Sequence, residues 1–223
     1  MKLKKILKKS GKIFQDVMVV VVGIAITFSL NNWMSIKKER KDMQQYLNAV
    51  KMELEDNLNT VEGNTRIHKA TMKFCEYLNS HKPETYQTDS IVKYNWIING
   101  NYIFLYKTSA FEMLKMSGTM RLMKDKELLS NIWNTYQCLE TLKGLHDIYM
   151  QRKEEEMYNF WTIIDDMNIQ SERDIANALR LPEAKQYLSF LKIQMTRSNY
   201  LNFLRGAEQI RETIEAIDNQ KIF

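Results

Sequence analysis

Three histidines and two cysteines are the residues best suited to chemistry in this 223-residue chain, and their spacing argues against most of it. His68, His81 and His146 are scattered, and none has a partner at the H-E-x-x-H interval that puts two imidazoles on one helix face. Cys75 and Cys138 stand far apart with no C-x-x-C, so they read as two inert core thiols, with pairing left open. His68 and Cys75 lie seven residues apart on one helix face, where a metal or haem contact has two ligands and lacks the rest. Asp165 and Asp166 read as a solvated helix end, and Lys153-Glu154-Glu155-Glu156 as a wet surface. No Gly-rich phosphate loop and no G-x-S-x-G elbow is present. The expectation is a protein without catalytic residues, cofactor or metal.

The elements that would position any site are helices. Only 7 Gly and 2 Pro occur, too few turn-makers for a sandwich or barrel, which needs a turn every ~8–12 residues. The net charge of +5 is accounted for by Lys2, Lys4, Lys5, Lys8, Lys9 and Lys12, so the rest of the chain is close to neutral. A basic tail beside an apolar run suits anionic lipid, and nucleic acid is not expected as a partner.

That run, Val17 to Leu30, is short for a span, but its flanks complete it. Ile13 to Trp33 extends ~31 Å as a helix, about one hydrocarbon core. Lys12 stands before it, and Lys37, Lys38, Arg40 and Lys41 after it, with Trp33 at interfacial depth. No small-residue cleavage site follows Leu30, so an uncleaved signal anchor is expected. The excess of lysine before the span puts the N-terminus in the cytoplasm and the domain outside it. The expected organisation is a basic tail (1–12), a transmembrane helix (13–33) and a helical bundle (34–223) whose first helix continues the span. Lys12, Asp16, Trp33 and Lys37 are the expected membrane-interface residues. Asp16, Val20, Gly23, Thr27 and Asn31 share one face, and Gly23 with Thr27 forms a small-xxx-small pair suited to helix association.

Beyond the span, Met43, Leu47, Val50, Leu54, Leu58 and Val61 repeat at helical intervals. Gly63-Asn64 predicts a break, and Ile67 to Leu78 a second helix ending before Pro83. Residues 83–107 are read as a short helix from Thr88 to Ile98, in preference to a hairpin at Asn99-Gly100. Ser109-x-x-Glu112 predicts a capping box for a helix over Ala110 to Met116, closed by Ser117-Gly118. Asp125 predicts the N-cap of a long helix reaching Ile164, and Pro182 the first turn of a last helix with apolar positions to Ile217. Three long amphipathic helices with short ones between them make an all-α bundle. Tyr94, Trp96, Tyr102 and Phe104 crowd one segment, as a partner surface or as packing anchors. Two functions follow from this pattern. One is a non-enzymatic membrane scaffold or sensor that associates through Gly23, Thr27 and Asn31 in the membrane and Met43, Leu47, Val50 and Leu54 outside it. Its partners would be the lipid bilayer and a second copy of the chain or another membrane protein. The other is a ligand-binding or enzymatic bundle in which His68, His146 or tyrosine hydroxyls converge on a pocket.

Val21-Val-Gly-Ile-Ala-Ile-x-x-x-Leu-Asn-Asn-Trp33 and Thr108-Ser-Ala-Phe-Glu-Met-Leu-Lys-Met-Ser-Gly-Thr-Met-Arg-Leu-Met-Lys-Asp-Lys-Glu-Leu128 together resemble a group of uncharacterised single-pass membrane proteins of Bacteroidota. The resemblance covers about 34 residues closely. It implies a bacterial cytoplasmic-membrane protein and carries no activity.

Overall fold

The computed structural model describes the backbone of residues 2–164, 171–194 and 197–220, and the side chains of 17–162, 171–192 and 199–220. It is all-α: among the described residues there is no strand. Helix α1, Lys2–Ser80, is continuous over 79 residues. Its apolar stretch begins at Val17, and residues 17–38 are exposed throughout. The helix then becomes the central element of the bundle. The short helices α2 (Thr88–Lys93), α3 (Asn95–Asn99) and α4 (Ser109–Met116) follow, with an extended segment over 100–107 between the last two. Helix α5 (Lys126–Ile164) runs back along the bundle, and α6 (Glu172–Ala178), α7 (Lys185–Gln194) and α8 (Arg197–Asn219) complete it.

The break expected at Gly63-Asn64 does not occur. A helical glycine costs about 1 kcal/mol, which the flanking packing offsets. Val61 is fully buried, and Asn64 Nδ2 donates to the Thr60 carbonyl within the helix. Helix α8 lies along α1 and α5, and α4 lies against α1. Gly206 allows a close approach of α8 to α5, since a Cβ there would meet Leu142 Cδ1 at 2.7 Å. The apolar positions expected of one helix after Pro182 are carried by α7 and α8, on either side of residues 195–196. Asp125 caps α5 as the sequence suggests, its Oδ1 accepting from Leu128 N at 2.9 Å. Gly118, at φ 69°, makes the left-handed turn after α4 that a side chain resists.

Two hydrophobic cores stack along α1. One, nearer the exposed apolar stretch, gathers Leu47, Val50, Leu54, Ile132, Leu139 and Ile210. The other, toward Ser80, is richer in rings and gathers Phe74, Tyr149, Phe160, Tyr187, Phe190 and Leu191. The candidate site lies at the waist between them.

Candidate functional site

Beside the apolar stripe of α1 runs a second row: Glu53, Asn57, Asn64, His68 and Thr71, all buried. Intervals of 4, 7, 4 and 3 keep these residues on one face, so the helix must bury them along with its leucines. Most are answered. Glu53 Oε2 accepts from Ala110 N at 2.8 Å, and Oε1 from Phe111 N at 3.3 Å and from the Tyr136 hydroxyl at 2.6 Å. The carboxylate therefore caps the start of α4 from another helix, which is the role assigned above to Ser109. Ser109 is instead already helical, and the N-cap residue, Thr108, makes no side-chain capping bond. Desolvation, followed by the bond to Glu53, raises the Tyr136 phenol. Asn57 clips the extended segment: Nδ2 donates to the Lys107 carbonyl at 2.8 Å and Oδ1 accepts from Lys107 N at 2.7 Å.

His68 is the exception. It is 2% exposed, and neither ring nitrogen has a hydrogen-bond partner among the described residues. Its ring lies 4.5 Å from Phe203, 6.5 Å from Tyr149 and 6.5 Å from His146, centroid to centroid. His146 Nε2–H donates to the Tyr102 carbonyl, 2.9 Å away, while its Nδ1 has no partner among the described residues. Burial, reinforced by His146, lowers the His68 imidazole to about 4, and burial lowers His146 as well. Tyr102 itself faces Tyr149 and Thr71. The fully buried Lys153 ammonium lies 5.3 Å from the Tyr102 ring and donates to the Gly100 carbonyl, with desolvation lowering it to about 8. The waist thus holds neutral imidazoles, two phenols and an easily deprotonated amine around residues 100–104. The space beside His68 and His146 does not admit a water molecule. In this conformation the cluster has no room for a substrate.

A family model matches residues 16–155, more than half of the chain, and describes a family of unknown function, DUF6090. The chain belongs to DUF6090. The matched region takes in the exposed apolar stretch, the buried polar row, the extended segment and both waist histidines. No curated protein and no solved structure matches the chain.

In this DUF6090 chain the residues singled out from sequence fall in contrasting places. The side chains of Lys12 and Asp16, and residues Asp165 and Asp166, lie outside the described residues. Trp33 and Lys37 are exposed and touch each other, the Lys37 ammonium lying 5.4 Å from the indole centroid. Gly23, Thr27 and Asn31 are exposed along α1, and the Thr27 hydroxyl is satisfied within the helix by the Gly23 carbonyl at 2.9 Å.

Met43, Leu47, Val50 and Leu54 differ from the association surface expected of them. All four are buried against other helices of the same chain, so the folded bundle presents none of them to a second copy. Phe104 is fully buried and Tyr94 stacks on Phe74 at 4.9 Å, whereas Trp96 is 46% exposed. The aromatic segment mainly anchors the fold. Cys75 and Cys138 form no disulfide among the described residues, and Cys75 Sγ donates to the Leu191 carbonyl at 2.7 Å. Among the described residues no group of three or more metal-ligating side chains occurs. Lys153 is buried rather than part of a wet surface. The roles of Glu53, Asn57 and Tyr136 carry no motif in the sequence. The signal available for the first two was their register, one position from the apolar stripe of α1.

Proposed function

We propose that this chain is a membrane-anchored, non-enzymatic helical scaffold or sensor acting through helix association. The observation that carries the reading is α1, a single helix that leads from an exposed stretch long and apolar enough to cross a membrane into the centre of the bundle. A displacement or rotation of the apolar stretch is transmitted along that helix to both cores and to the waist. The exposed Gly23, Thr27 and Asn31 face supports association within the bilayer with a second copy or another membrane protein. The lysine-rich N-terminal flank supports an N-terminus in the cytoplasm and a bundle on the far side of a bacterial cytoplasmic membrane. Cysteines placed at Gly23 and Thr27 should crosslink copies in native membranes, and monomer alone would exclude self-association. Protease added to intact spheroplasts should digest the bundle, and its full protection would reverse the topology.

The convergence of His68, His146, Tyr102 and Tyr149 favours a second reading, a bundle that opens to bind a small polar ligand at its waist. Protection of the waist backbone amides from hydrogen exchange by such a ligand, lost in His68→Leu, would support it.

A further inference from the structure

A groove of about 700 Å³ lies at the end of the bundle where α1 leaves the exposed apolar stretch. That volume falls within the ~300–1,000 Å³ of small-molecule sites. Its floor is apolar, made by Ile36, Met43, Leu122 and Ala216. Its rim carries Arg40 and Lys124 on one hand and Glu39 and Asp125 on the other. The four charges are not equivalent. Asp125 is engaged as the N-cap of α5. Arg40, Lys124 and Glu39 form no ion pair among the described residues. The Gln220 side-chain amide also lines the groove, with its oxygen buried and unpartnered among the described residues.

The depth of the groove limits what can fill it. At 1.5 Å rise per residue, Ile36 and Arg40 stand about 5 and 11 Å beyond Trp33 along α1. If Trp33 marks the edge of the hydrocarbon, a headgroup layer of about 5–8 Å per leaflet takes in Ile36, and a long arginine side chain at position 40, leaning toward the helix N-terminus and so toward the bilayer, covers the remaining few ångströms. Two unpaired cations suit a phosphate, and one unpaired carboxylate beside them suits an ammonium. An apolar floor suits the glycerol and the start of the acyl chains.

We propose that the groove lined by Ile36, Glu39, Arg40, Leu122 and Lys124 binds the headgroup of one phosphatidylethanolamine molecule. The phosphate lies between Arg40 and Lys124, and the ammonium faces Glu39. This rests on the membrane-anchored reading above and deepens it. The lipid ties the bundle to the bilayer at a second point beside α1, so the domain is held against the membrane instead of pivoting on a single helix.

The test uses the full-length protein extracted in mild detergent, with phosphatidylethanolamine or phosphatidylglycerol added and the retained lipid read by native mass spectrometry. The wild type should retain phosphatidylethanolamine preferentially. Arg40→Gln with Lys124→Gln should lower that retention about tenfold, as expected for the loss of two charge-assisted contacts. Glu39→Gln should abolish the preference between the two lipids while keeping binding. These positions are at the groove rim, and unchanged thermal unfolding of each variant would confirm an intact bundle. Equal retention by the double variant, or no preference in the wild type, would overturn the proposal. Displacement of the lipid by millimolar inorganic phosphate would assign the cations to a free anion and overturn it too. Alkaline extraction of native membranes separates the two levels of the argument. A chain released by alkali defeats the anchoring itself, whereas a chain that stays with the membrane but retains no lipid defeats only the groove.

Discussion

Glu53 and His68 occupy the same face of the same helix at almost the same depth, 7% and 2% exposed, yet they meet opposite surroundings. Glu53 is met by two backbone N–H groups of α4 and by the Tyr136 hydroxyl. His68 is met by rings, and both of its nitrogens go unanswered among the described residues. A buried polar group stabilises only when its bonds to water are replaced, and otherwise costs about 1–3 kcal/mol. Glu53 is therefore a clasp that fixes α4 and α5 to α1, and His68 is a standing cost at the waist between the two cores. The lesson is that burial on α1 does not by itself tell a structural polar group from one available for a change of state.

The sharpest way to break this contrast is Glu53→Ala. It strands a phenol and two backbone donors, and should lower stability by about 4 kcal/mol in denaturant unfolding of the detergent-solubilised protein. A loss below about 1 kcal/mol would mean the clasp is not structural.

Acidification tests the other member of the pair. The folded His68 imidazole is lowered to about 4 from an ordinary 6.5, so between these values the unfolded chain binds the proton more readily. The stability associated with neutral His68 is present above pH 6.5 and lost as pH falls toward 4, amounting to about 3 kcal/mol over that window. His146 is lowered in the same direction and adds to the trend. The difference between wild type and His68→Leu, followed from pH 7 to pH 4, isolates the His68 part, and parallel curves would remove it.

Tyr136→Phe takes one partner from Glu53 and leaves the α4 contacts, so a loss of about 2 kcal/mol is expected by the same unfolding measurement. The smallest effect has the opposite sign. His68→Leu at pH 7 replaces an unanswered polar ring with an apolar side chain of similar size and should raise stability by about 1 kcal/mol. If it destabilises instead, the waist nitrogens are bonded in solution.

Much of the fold is legible in residue order. The apolar intervals from Met43 to Val61 and from Leu129 to Phe160 specify which faces are buried, and Asp125 and Gly118 mark helix boundaries by their own local chemistry. Reasoning from local signals failed where a distant partner outweighed them. Gly63-Asn64 looks like a break until the packing of its neighbours along α1 is known. Ser109-x-x-Glu112 looks like a capping box until Glu53, 56 residues before Ser109, takes over the role. Lys153 looks solvated beside three glutamates until the Gly100 carbonyl is seen to accept its hydrogen bond. The site was half legible. His68 and His146 were marked as residues to watch, but nothing in a separation of 78 residues says that their rings meet.

By itself, then, the order of residues determined the exposed apolar stretch, the helical class and the buried stripe, because hydrophobic periodicity and backbone propensity act over one or two helical turns. Tertiary structure alone decided that α1 is unbroken, that Glu53 is satisfied and His68 is not, and that a charged groove opens beside the apolar stretch. Each of these depends on which groups from distant parts of the chain arrive within hydrogen-bonding or packing distance. That is settled by the docking of α4, α5 and α8 on α1, and no local interval encodes it.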